Sequence, residues 1–156
     1  MPTAKERECV VTSIRSLPAA LEVAIVGLTE EQLDSPGGEG EWAIRQVVHH
    51  LADANLNFFA RTKWILSEER PVLKLFDREP RTRLPDATQS SVQASLLMLK
   101  GLHERWVILL KSMPDSAWNR AATHPDLGDV TLDDLLTSFA QHGETHLEQI
   151  RQTRQR

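Results

Sequence analysis

The stretch TLDDLLTSFAQHGETHLEQI, residues 131–150, decides how this chain folds. An α-helix turns about 100° per residue. On that wheel Leu132, Leu135, Leu136, Phe139, Gly143 and Ile150 gather on one apolar face. His146 falls near the middle of the face and His142 on its edge, one turn apart and therefore stacked on the same side. Thr131 is a good N-cap, and Asp133 and Asp134 suit the positive end of the helix dipole. The pattern predicts a helix from near Thr131 to about Thr153. Each inward imidazole carries a polar nitrogen that needs a partner in an apolar setting. Two at i and i+4 are a common way for one helix to grip a metal ion; a pair of separately satisfied core histidines is the alternative. Gly143, between them, costs up to about 1 kcal/mol relative to alanine inside a helix, which fits a place of close approach.

Working outward, three more segments carry helical periodicity, and none shows sustained period-two alternation. The first runs from about Lys5 to Leu28, with Pro18 expected to kink or break it near Leu17. Thr29-Glu30-Glu31-Gln32 is a capping-box pattern for a short helical turn, and the Gly- and Pro-rich Ser35–Gly40 reads as a loop. The second long helix is expected from Glu41 or Trp42 to about Glu69, and the third from about Ala87 to Ser112. Prolines punctuate the connection Pro71–Pro85, and Asp115–Val130 reads as a loop, with His124-Pro125 in a turn. The whole chain, residues 1–156, reads as a single all-α domain, a four-helix bundle. Connections of roughly 15 residues leave room for a crossover.

The second helix supplies the third histidine. Ile44, Val47, Val48, Leu51, Ala54 and Phe58 define its apolar face, and His50 lies on the flank of it. His49 points nearly the opposite way, among Arg45, Gln46 and Asp53, and is expected at the surface or rim. The expected metal ligands are His50, His142 and His146. Asp53, one turn beyond His50, is a candidate to orient a ring through its N–H; an ordinary exposed acid is the alternative. His103 lies on the inward face of the third helix with Leu96, Leu99, Trp106, Val107 and Leu110. It reads as a core histidine, with a fourth ligand or an acid/base group as the other readings. Asp53 and His103 are the two catalytic candidates. Trp42, Trp64, Trp106 and Trp118 read as packing residues. Gly143 stands where a zincin carries its catalytic Glu, so H-E-x-x-H chemistry is excluded.

The bulk properties fit a globular protein. The chain has 156 residues with 18 basic and 22 acidic side chains, a net charge of -4. The basic residues are scattered, so no nucleic-acid partner is expected. No apolar run approaches the ~20 residues of a membrane span. Cys9 is the one cysteine, which excludes an intrachain disulfide and makes the reducing cytoplasm the expected location. It is expected to pack beside Val10 and Ile14 as a small hydrophobe.

Trp42-Ala43-Ile44-Arg45-Gln46-Val47-Val48-His49-His50-Leu51-Ala52-Asp53 resembles the second-helix signature of the DinB/YfiT-like family of metalloenzymes. Leu102-His103-Glu104-Arg105-Trp106, His142-Gly143-Glu144-Thr145-His146 and the Leu28–Asp34 turn resemble other blocks of its YfiT branch, in matching order along nearly the whole chain. The connection Lys74–Asp86 departs from that pattern and lacks a tryptophan expected near its end. The resemblance implies a bundle of up-down-down-up topology with a long crossover connection, and often a homodimer. It implies metal ligands at His50, His142 and His146, the three that the helical wheels select. It also implies a metal-dependent hydrolase acting on a small-molecule substrate, or a transferase of a low-molecular-weight thiol of the bacillithiol type; a related branch uses mycothiol in an isomerisation. Three imidazoles with an open position suit one divalent metal ion per chain, zinc or nickel foremost, with iron or manganese as alternatives. A non-catalytic bundle that is stabilised by its metal, or senses it, is the reading from another class.

Overall fold

The computed structural model describes residues 2–156. In chain order the elements are α1 (Ala4–Ile25), α2 (Glu30–Asp34), α3 (Ile44–Ser67), α4 (Arg78–Arg81), α5 (Pro85–Gln89) and α6 (Val92–Ser112). A 3-10 turn (Asp115–Asn119), strands β1 (Ala121–His124) and β2 (Gly128–Thr131), and α7 (Leu132–Arg154) complete the fold. Helices α1 and α3 each pack on both α6 and α7, so the order around the bundle is α1, α6, α3, α7. The topology is up-down-down-up: α3 and α6 run the same way, and residues 68–91 cross over between them. Trp106, Phe139, Leu21, Leu51, Leu99 and Leu136 fill the centre and are fully buried. They come from all four long helices at helical spacing, so each element is held mainly by burying its apolar stripe.

Helix α1 passes through Pro18 without a break, contrary to expectation. Proline has no N–H, so the carbonyl of Ile14, four residues earlier, loses its helical donor. His103 of α6 supplies one instead: its Nδ1–H donates to the Ile14 carbonyl at 2.5 Å. The other ring nitrogen meets the side-chain amide of Asn55 on α3, and that amide donates to the Leu51 carbonyl at 2.5 Å. His103 is thus a core histidine that links three helices. The same helix corrects a second expectation, since Cys9 is exposed. It lies five residues before Ile14, about 140° round from the buried stripe.

Helix α3 is buried on almost every side, which corrects the placement of His49. Its polar flank is covered by α2, α5 and the start of α6. There His49, 6% exposed, meets the Ser95 hydroxyl through Nδ1 at 2.7 Å and the Ser90 carbonyl through Nε2 at 3.0 Å. Arg45, equally buried, pairs with Asp34 at 2.6 Å and with Glu30, and donates to the Ser90 carbonyl at 2.9 Å. Both polar residues tie α3 to its covering segments. The helix starts at Ile44 rather than at Glu41 or Trp42. Gln46 Oε1 accepts the Ala43 N–H at 2.9 Å, which leaves Trp42 on non-helical backbone before the helix.

The connections hold more structure than expected. Residues 115–130, read as a loop, contain the 3-10 turn and, with Thr131, a hairpin that pairs Ala121 with Thr131 and His124 with Gly128. Four-residue strands are too short to show period-two alternation. The turn role of His124 is met: its Nδ1 accepts the Asp126 N–H at 3.2 Å. Arg120 donates to the Ile65 and Glu68 carbonyls at 2.6 and 2.7 Å, satisfying the C-terminal end of α3. Ala87 belongs to the separate α5, and α6 begins after Ser91, whose hydroxyl accepts the Gln93 N–H at 3.3 Å. Trp106 and Trp118 are core residues as expected, whereas Trp64 is 39% exposed.

Candidate metal centre

The capping box at Thr131 starts α7: Asp134 accepts the Thr131 N–H at 2.9 Å, and the Thr131 hydroxyl accepts the Asp134 N–H at 3.1 Å. The partly buried Arg7–Asp133 pair at 2.8 Å ties the same end to α1. With its start and its apolar stripe fixed, α7 turns His142 and His146 toward its antiparallel neighbour α3, which presents His50. Gly143 serves the opposite side. A Cβ there would lie 3.3 Å from the Leu17 side chain of α1, so the close approach is between helices and not at the histidines.

The three Nε2 atoms converge. His142 Nε2 is 3.1 Å from that of His50 and 3.1 Å from that of His146, and the donor set lies within 4.8 Å. Among the described residues it is the one cluster of three or more metal-ligating side chains this compact. Two ligands on a tetrahedral ion with bonds of 2.0–2.1 Å are separated by about 3.3 Å. His142 Nε2 is therefore spaced from each of the other two nitrogens about as a single ion requires.

Protonation makes the arrangement hard to satisfy without a cation. His146 Nδ1 donates to Gln149 Oε1 at 2.8 Å, so its Nε2 carries a lone pair. A proton on His142 Nε2 can be given to only one of its two nitrogen neighbours. His142 Nδ1 is buried with no hydrogen-bond partner among the described residues. Nor can the cluster hold protons as charge. Burial, then the neighbouring His146 and His142 and Arg78, pushes His50 down to about 3. Burial, then His146 and Arg78, pushes His142 down to about 4. His146 is also lowered, by burial first, against the pull of Gln149. Three neutral imidazoles aimed at one point are the donor set that borderline divalent metals prefer.

Aromatic rings plate the cluster. Trp42 lies 4.9 Å from His50 and stacks on His146 at 6.1 Å with planes 11° apart. Phe76 stands 6.0 Å from His50, and Phe58 6.3 Å from His142. On the His146 side the plating opens into a cleft of about 270 Å³ lined by Trp42, Arg78, Gln149 and Arg156, among others.

A sequence profile of the DinB superfamily matches residues 14–150. The chain belongs to the DinB superfamily. It is 41% identical over 148 residues to a Geobacillus kaustophilus protein named a "putative metal-dependent hydrolase", a match spanning 94% of this chain and 83% of that one. It is 36% identical over 138 residues to the Bacillus subtilis "putative metal-dependent hydrolase YfiT", spanning 88% and 78%. The solved structure of YfiT, described as a "probable metal-dependent hydrolase with an unusual four-helix bundle topology", superposes with a TM-score of 0.94 at 32% identity, over 98% of this chain and 88% of that chain.

Of the five site candidates, this DinB superfamily member brings together His50, His142 and His146. His103 is occupied in the core. Asp53 is half-buried and makes no hydrogen bond to the three imidazoles among the described residues. Its carboxyl is raised above the usual range by burial and then by Asp86, against Arg81 and His49. Four lining residues escaped the sequence reading. Gln149 was detectable, being one turn beyond His146 on the same face. Trp42, Phe76 and Arg78 stand on non-helical backbone or on a four-residue helix, where no wheel applies. Gln149 fixes the tautomer of His146. Its replacement by leucine is expected to weaken metal binding about tenfold, the lower end of what lost outer-shell partners cost. Competition titration against a chelating dye checks this, with unchanged helicity as the control.

Proposed function

We propose that His50, His142 and His146 hold one divalent metal ion, and that the protein is a metal-dependent hydrolase of a small polar molecule. The observation that carries the reading is the convergence of three neutral Nε2 atoms beside a cleft. Three protein ligands with an accessible side is the layout of a catalytic site rather than of a closed structural one. When bound, such an ion acts as a Lewis acid and makes water a nucleophile near neutral pH. The chain's own residues do the rest. Gln149 holds His146 with its lone pair inward. Trp42, Phe76 and Phe58 exclude bulk water from three sides, which strengthens each electrostatic contact inside. The cleft on the His146 side is the route in.

The test is turnover of a panel of small esters and amides by protein reconstituted with zinc, nickel, iron or manganese, with and without an added low-molecular-weight thiol. Hydrolysis is expected without thiol, lost on chelation and restored by metal. An absolute requirement for thiol would overturn hydrolysis and assign group transfer to the same site. Bound metal with no turnover under either condition, and no shift of a cobalt spectrum by azide, would leave a metal-stabilised bundle.

A further inference from the structure

The cleft beside His146 is not electrostatically neutral in its parts. Four charged side chains line it: Glu41, Glu79, Arg78 and Arg156. Both acids have partners. Glu41 pairs with Arg156 at 3.7 Å and Glu79 with Arg83 at 4.0 Å. Arg78 has none: among the described residues no carboxylate lies within 4.0 Å of its guanidinium. The next arginine on α4, Arg81, also has no carboxylate within 4.0 Å among the described residues, but it lies over Phe76 at 4.5 Å and does not line the cleft.

The position of Arg78 is set by stacking. Its guanidinium carbon sits 5.7 Å from the centre of the Trp42 ring, and Trp42 in turn stacks on His146. The cation and the imidazole both neighbour the same indole at the mouth of the site. Among the described residues the Arg78 guanidinium makes no hydrogen bond, so its forked N–H donors, which match a carboxylate in bidentate fashion, are left for a ligand. Charge selection follows from the rim. With Glu41 matched by Arg156 and Glu79 by Arg83, Arg78 leaves one unmatched positive charge on the rim, which suits a monoanionic carboxylate better than the dianion of a phosphate monoester.

We propose that the cleft binds the carboxylate of a small polar substrate, and that Arg78 is the specificity-determining residue that recognises it. This rests on the hydrolase reading for its reaction but not for its binding. The test is therefore ligand-observed ¹⁹F NMR on both metal-free and metal-loaded protein, with 4-fluorophenylacetate, 4-fluorophenylacetamide and 4-fluorophenyl phosphate as probes. The carboxylate is expected to bind at least tenfold more tightly than the isosteric amide in both samples, and no less tightly than the phosphate. Arg78→Gln is expected to abolish that preference while metal content stays that of wild type. Arg83→Gln, on the exposed side of Glu79, is expected to retain it. Equal binding of acid and amide, a stronger preference for phosphate, or a preference that survives Arg78→Gln would overturn the assignment. A preference confined to metal-loaded protein would also overturn it, since the carboxylate would then sit on the ion. If the wild-type chain takes up no metal, the hydrolase reading fails, while the acid–amide comparison on the metal-free sample still decides the role of Arg78.

Discussion

His142→Ala combined with His146→Ala is expected to reduce bound metal from about one ion per chain to none, with helicity unchanged. Both ligands sit on one face of α7, so the double variant leaves only His50 of the converging set. Even outer-shell losses cost 10–100-fold in metal affinity, and removing two of three donors exceeds that. The fold is expected to survive because neither ring fills the centre of the core; that work is done by Phe139, Leu136, Leu147 and Ile150 on the same helix. Elemental mass spectrometry on protein purified without nickel, alongside circular dichroism, decides it. Metal retained by the double variant would place the ion elsewhere. No metal in wild type after reconstitution would return the three histidines to the core.

The second large effect concerns stability. His103→Leu is expected to cost about 1–3 kcal/mol, because the Ile14 carbonyl loses its replacement donor in the interior. The cause is separable from simple packing. Pro18→Ala returns an N–H to α1 that can bond to Ile14 within the helix. The double variant is therefore expected to cost at least ~1 kcal/mol less than the sum of the singles. Urea unfolding of the four proteins measures the coupling.

The same histidine gives a pH signature. Burial, partly opposed by its bond to Ile14, pushes His103 from 6.5 down to about 4. The unfolded chain binds a proton there that the folded chain refuses. Stability from this source is full above about pH 6.5 and is lost as pH falls toward 4, by on the order of 3 kcal/mol. The metal-free His103→Leu protein lacks that contribution. Its stability should fall less steeply between pH 6.5 and 4 than that of metal-free wild type. Parallel curves and purely additive variants would together show that His103 is filler.

The parts of this fold legible in the sequence are those governed by the period of a long helix. The apolar stripe of residues 132–150 placed α7 to within a residue and turned His142 and His146 the correct way. The same wheel placed His50. It failed on His49 because a wheel assumes that a polar flank faces water, and here α2 and α5 cover that flank. It failed on Pro18 because the replacement donor, His103, lies 85 residues further along the chain. The hairpin, Trp42 and Arg78 depend on short segments whose conformation is fixed by what they rest on, so no local periodicity marks them.

The crossover of residues 68–91 separates two tasks that many sites combine. The histidines stand on long helices whose stripes also hold the bundle together, so changes there risk the fold. Arg78 and Phe76 stand on a strap that is anchored in the interior by Leu73, Thr82 and Ala87 but that keeps these two residues off the apolar stripes of the long helices. Substitutions on the strap can therefore redirect which molecule is admitted while the grip beneath stays intact. A scaffold divided in this way can accumulate new selectivities at low structural risk.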